Sequence, residues 1–127
     1  KVNAPTGQLK AHFLDAGQAD SILVHVGTSA MLIDTGNNGD GSSIVSYIKA
    51  QGIKRLDYLI LTHPHADHIG GATEVIKAVD IDKILMPKAS HTSNTFENLL
   101  LAIQDKGLKI SSPTPGVDYS LGDASFE

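Results

Sequence analysis

The sequence predicts an α/β fold (α+β by some schemes): one mixed sheet with helices packed on it. Three observations predict it. An antiparallel meander opens the chain, between Gln8 and Asp34. Beyond it, apolar runs alternate with helical periodicities as far as Ile110. One of those runs, Leu56 to Leu61, is nearly continuous, as in a strand buried on both faces. A meander followed by alternating helix and strand gives a mixed sheet rather than a purely parallel one.

Residues 1–7 contain Pro5 and Gly7 and read as an N-terminal tail, leaving residues 8–127 as one domain. From Gln8 to Asp15 the pattern alternates, with Leu9, Ala11, Phe13 and Asp15 on one face and Lys10, His12 and Leu14 on the other. Ala16-Gly17-Gln18 is a turn. Ser21 to Val26 alternates again, with Ile22, Val24 and Val26 inward, and Gly27-Thr28-Ser29 leads into a third strand, Ala30 to Asp34. Turn residues then crowd Asp34 to Gly41. Ser42 or Ser43 caps the next helix, which turns Ile44, Val45 and Ile48 to one side and stops at Gly52. After Leu61 come a polar loop and a short helix with Val75, Ile76 and Val79 inward. Ile84 and Leu85 centre another strand, ending at Pro87. Thr92, Ser93, Asn94 and Thr95 offer N-caps for a helix whose Phe96, Leu99, Leu100 and Ile103 form an apolar stripe, closed by Gly107. Leu108 and Ile110 lie in a strand, Pro113 to Gly116 breaks it, and a final strand begins near Ala124.

With 127 residues and an apolar fraction of 41%, one ordinary globular core is expected. A net charge of −4 argues against broad adhesion to nucleic acid or anionic lipid, and no segment is apolar for long enough to span a bilayer. There is no cysteine, so thiolate metal sites are excluded. The chain opens on Lys1 with no visible leader, which reads as a trimmed piece.

The stretch Thr62-His63-Pro64-His65-Ala66-Asp67-His68 carries the chemistry. Three histidines and an aspartate fall within six residues, directly after an apolar strand and before Gly70-Gly71. His63 and His65 alternate, so in extended chain both point the same way and can share one cation. Asp67 and His68 suit a second. Pro64 stiffens the segment between them. Zn²⁺ is the default metal for imidazole plus carboxylate, and Mn²⁺ and Fe accept the same donors. Such a cation turns water into a nucleophile near neutral pH, and Asp67 is the residue expected both to bind metal and to orient that water. Catalytic zinc normally takes three protein ligands, so each ion is at least one short.

The ligand stretch is similar to the signature of the metallo-β-lactamase fold. Phe13-Leu14-Asp15-Ala16-Gly17-Gln18-Ala19-Asp20-Ser21 and Leu32-Ile33-Asp34-Thr35-Gly36 sharpen the resemblance toward the extracellular domain of ComEC-type competence DNA-uptake proteins and their soluble relatives. The resemblance covers most of Leu9 to Glu127 and implies the first αββα half of a sandwich, with helices on one face of the sheet. It implies two divalent ions, Zn²⁺ or Mn²⁺, with the remaining ligands beyond residue 127. On this view Asp20 is a buried aspartate that braces the metal loop, and Asp34 lies near the site floor, where a turn-forming role is the local alternative. Ala19 departs from the family's usual glycine, a swap that would strain a turn needing positive φ. Gly122-Asp123 arrives too early to be the family's bridging aspartate.

The resemblance implies a nuclease or phosphodiesterase tied to DNA uptake, with single-stranded DNA as a partner, at an extracellular or cell-surface location. The residues alone support hydrolysis without selecting phosphodiester over β-lactam, thioester or lactone. A secreted hydrolase of small substrates and a non-catalytic metal-binding scaffold are the alternatives, and an isolated first half is expected to be inactive and to self-associate. His91, in a loop before a helix, is a candidate substrate contact. His12 and His25 read as half-exposed sheet residues able to meet across strands.

Overall fold

The computed structural model describes residues 2–3, 9–14, 21–37, 39–63, 65–87, 93–112, 119–121 and 124–126. In chain order the elements are β1 (Val2–Asn3), β2 (Leu9–Phe13), β3 (Ile22–Val26), β4 (Ser29–Ile33), α1 (Gly41–Ala50), β5 (Arg55–Ile60), α2 (Ala66–Ile69), α3 (Ala72–Ala78), β6 (Asp80–Leu85), α4 (Asn94–Asp105), β7 (Ile110–Ser111), β8 (Tyr119–Leu121) and β9 (Ala124–Phe126). Strands β2 to β7 form one six-stranded sheet in sequence order. The β2–β3–β4 part is an antiparallel meander, and β4 to β7 run parallel.

Each parallel step needs a crossover, and steps taken in one direction with right-handed connections put every helix on the same face. That face holds the larger core. Leu23, Leu32, Leu59 and Ile84 from the strands meet Ile44, Ile48, Val75, Ile76, Phe96 and Leu99 from the helices. Burying side chains of this kind contributes about 1.5–3 kcal/mol each. The second face holds Val24, Val26, Met31, Tyr58 and Leu85, covered in part by Leu121 from a small antiparallel sheet of order β1-β9-β8. With apolar side chains on both faces, β3, β4 and β5 are central layers rather than half-wet strands.

The structure departs from the sequence reading at several elements. Val2–Asn3 pairs with β9 instead of forming part of a tail. Helix α1 begins two or three residues earlier than a cap at Ser42 or Ser43 allows: Asp40 is the N-cap, and its carboxylate accepts the Asn37 N–H at 2.7 Å rather than a helix amide. In α4 the Ser93 hydroxyl does cap, accepting the Phe96 N–H at 3.1 Å. Leu100 leaves the buried stripe, at 39% exposure, and Ala102 takes its place. Phe13 is 80% exposed, while His12 and His25 face α1, so the polar side of β2 is the helix side. Leu108 precedes β7 and closes α4 by donating its N–H to Ile103 O. Strand β8 had no sequence signal, because a three-residue strand is too short to show a period.

Candidate functional site

The site is built where β4 and β5 end. Parallel neighbours finish side by side, so the residues that follow them, Asp34 and Thr62, become adjacent although 28 positions apart. The Asp34 N–H continues the ladder onto Ile60 O at 2.7 Å, after which the chain turns with Asp34 at φ 59°. Aspartate is one of the few side chains that tolerates this region. The turn buries its carboxylate, leaving the residue 3% exposed.

That carboxylate is fully engaged. Oδ1 accepts the Thr62 N–H at 2.7 Å, and Oδ2 accepts the Thr62 hydroxyl at 2.6 Å and lies 3.0 Å from His68 Nδ1. A carboxylate can only accept, so the Thr62 proton and the His68 Nδ1 proton both point at it. Thr62 Oγ1, its own proton committed, lies 3.0 Å from His63 Nδ1 and serves as that ring's acceptor. These hydrogen bonds assign His63 and His68 the Nδ1–H tautomer and put their lone pairs on Nε2. One buried carboxylate and one hydroxyl thus fix two imidazoles.

The stretch from His63 to His68 is less of a loop than its proline suggests. His65 is the extended N-cap of the one-turn helix α2, accepting the N–H groups of His68 and Ile69 at 2.9 and 3.0 Å. Asp67 and His68 therefore sit on helical backbone. The turn is pinned from the β4 side: the Thr35 N–H and hydroxyl both donate to His68 O, at 2.7 and 3.0 Å. Gly70 N–H donates to Gly36 O at 2.9 Å and Gly71 N–H to Thr35 O at 3.1 Å. A Cβ on Gly71 would lie 2.6 Å from Thr35 O and 2.8 Å from Gly41 Cα, so only glycine allows backbones this close.

The three rings gather on one side. His63 and His65 stack with centroids 6.3 Å apart, and His63 and His68 lie tilted at 4.7 Å. His63 and His65 are exposed and His68 half-buried. Imidazoles whose Nδ1 is held by a hydroxyl or a carboxylate, as in His63 and His68, are the donor type that suits a divalent cation. Among the described residues no three histidine, aspartate or glutamate side chains close on one point as a complete metal-binding group. The Asp67 side chain, Asp20 and His91 lie outside the described residues. Thr62 and Thr35 escaped the sequence reading. The signal for Thr62 was its place between the β5 apolar run and His63; Thr35 had none beyond its neighbour Asp34. Ser21, whose hydroxyl donates to Asp34 O at 3.0 Å, was equally silent.

A model of the metallo-beta-lactamase superfamily matches residues 14–126. The chain belongs to that superfamily. Its curated relatives include ComE operon protein 3 of Bacillus subtilis (strain 168), 30% identical over 131 residues, a match spanning 89% of this chain and 17% of the relative. Recombination protein 2 of Haemophilus influenzae is 30% identical over 110 residues, spanning 83% of this chain and 14% of the relative. Among solved structures, the metallo-beta-lactamase SMB-1 bound to 2-mercaptoethanesulfonate superposes with a TM-score of 0.62 at 18% identity, over 88% of this chain and 47% of that one. The superfamily is one of hydrolases, and the sheet with helices on one face is its fold.

Proposed function

We propose that this chain carries the first ligands of a metal-dependent hydrolase that cleaves phosphodiesters, with DNA handled during competence as the substrate class. The observation that carries the reading is the Asp34 carboxylate, which takes Thr62 and His68 together and so supports a role in aiming imidazole lone pairs outward. His63, His65, Asp67 and His68 would hold Zn²⁺ or Mn²⁺. The chemistry a bound divalent cation supplies is a water of near-neutral pKa and charge stabilisation for the displaced oxygen.

The chain's own residues supply the positioning. Asp34 and Thr62 hold His63 and His68 as Nδ1–H tautomers, and the Thr35 clamp on His68 O keeps α2 against the end of β4. In this reading Asp67 binds metal and orients the attacking water, Asp20 braces the loop, and His91 contacts substrate. The names of the relatives, a ComE operon protein and a recombination protein, support DNA over a small lactam. An extracellular or cell-surface position is part of the same proposal. No helix among the described residues is long and apolar enough to cross a membrane.

The test is an assay of the full-length protein on a chromogenic phosphodiester and on single-stranded DNA, with and without chelator. Cleavage should vanish on chelation, return with Zn²⁺ or Mn²⁺, and be abolished by His65→Ala and Asp67→Ala with circular dichroism unchanged. Absence of metal-dependent cleavage of either substrate refutes the reading. Activity surviving Asp67→Ala overturns the role given to that residue.

A further inference from the structure

A second hydrogen-bonded group of titratable side chains lies away from the candidate site, on the helix side of β2 and β3. His12 stands opposite Leu23 and His25 opposite Lys10, so the two histidines meet diagonally. Their rings stack at 14° with centroids 5.0 Å apart, and His12 Nε2 lies 2.9 Å from His25 Nε2. The other nitrogen of His12, Nδ1, lies 2.6 Å from the Tyr47 hydroxyl of α1. His12 thus ties β2, which among the described residues is an outermost strand with a single neighbour in the sheet, to β3 and to a helix at once.

We propose that His12, His25 and Tyr47 form an acid-sensitive latch that holds the edge strand β2 against β3 and α1 and opens when His25 takes up a proton in addition to His12. The latch is independent of the hydrolase reading.

The direction of the chain follows from the distances. A separation of 2.6 Å is short for an N–H donor and ordinary for an O–H donor, so Tyr47 donates to His12 Nδ1. His12 must then carry its proton on Nε2 and donate it to His25 Nε2, which leaves the His25 proton on Nδ1. The two possible protonations are not equivalent. A proton on His12 Nδ1 is accommodated, because the Tyr47 hydroxyl rotates and accepts. Once His12 carries a proton on both nitrogens, a further proton on His25 Nε2 sets two N–H groups face to face across 2.9 Å, and the bond between the strands is lost.

The groups facing the pair are Lys10 on β2, opposite His25, and Tyr47 on α1. Burial lowers the His25 pKa below the usual imidazole value, and the neighbouring His12 and Lys10 push it the same way. A pKa lower in the folded than in the unfolded chain means that the unfolded chain binds more protons in the interval between them. Stability from this group is therefore complete above about pH 6.5, the unfolded value, and falls as pH drops toward the folded value. Loosening β2 also reaches toward the candidate site, since the Leu14 N–H donates to Ser21 O and the Ser21 hydroxyl to Asp34 O.

The purified protein, labelled with ¹⁵N in its imidazoles, tests this by nuclear magnetic resonance. At neutral pH His12 should be the Nε2–H tautomer and His25 the Nδ1–H tautomer. Exchange protection of the β2 amides, corrected for intrinsic rates, should fall by up to about tenfold per pH unit below about pH 6.5. Protection of β5 amides should not follow it. His25→Gln should remove the pH dependence of β2. The same Nε2–H tautomer in both rings, or β2 protection that does not change across His25 protonation, overturns the latch. The tautomer measurement needs only the unsubstituted protein, so it decides even if the variant does not fold.

Discussion

At His63 and His68 the inner ring nitrogen is held by Thr62 or Asp34, and Nε2 is turned away from those partners. At His12 and His25 the rings are turned on one another and on Tyr47, and both nitrogens of His12 are taken up. The residue type is the same; the partners differ. A buried carboxylate can only accept, so it makes the nearer nitrogen of its histidine a donor. A second imidazole or a phenol can donate or accept, and the resulting chain is internally satisfied. On the proposed function, what separates a ligand histidine from a structural one is what occupies its other nitrogen.

Removing the carboxylate should have the largest effect. Asp34→Ala deletes the acceptor of three hydrogen bonds in a buried site and is expected to cost about 3–4 kcal/mol, measured by urea unfolding. The same change should weaken metal binding in the full-length protein by about 10–100-fold in a chelator competition, as loss of a ligand's supporting partner does elsewhere. Unchanged affinity in a folded variant would erase the difference between the two histidine groups.

Thr62→Val is nearly isosteric and separates the two imidazoles. His68 keeps its bond to Asp34 while His63 loses its acceptor, and the Thr62 N–H still reaches Oδ1. We expect a stability loss of about 1–3 kcal/mol and a smaller fall in metal affinity than for Asp34→Ala. A fall as large as that of Asp34→Ala would move the organising role from the carboxylate to the hydroxyl.

Tyr47→Phe should do least. It removes one half-buried donor to His12, for a loss of about 0.5–1.5 kcal/mol in the same unfolding measurement, and should leave metal-dependent hydrolysis unchanged. A drop in hydrolysis would show that the two groups are coupled through β2 and Ser21.

Strong periodic signals made much of the sheet legible. The alternation of Ser21 to Val26 and the apolar run at Leu56 to Leu61 gave β3 and β5 almost to the residue, because side-chain period is a local property of the chain. Helix ends were less legible. Asp40 rather than Ser42 or Ser43 begins α1, since packing against Gly71 and α3, not capping alone, chooses where the helix starts. Leu100 carried the right spacing for burial yet lies at 39% exposure, because the stripe that faces the core is set by how α4 lies on its neighbours.

By itself, the sequence determined which elements form and where the candidate ligands cluster, since period, proline, glycine and the spacing of His63, His65, Asp67 and His68 act over a few residues. Only the tertiary structure decided what those histidines are attached to. Thr62 and His68 reach Asp34 because β4 and β5 end side by side, and His12 meets Tyr47 because α1 crosses back over β2. Tautomer and partner depend on contacts between residues about 30 positions apart, and chain spacing carries no record of such distances.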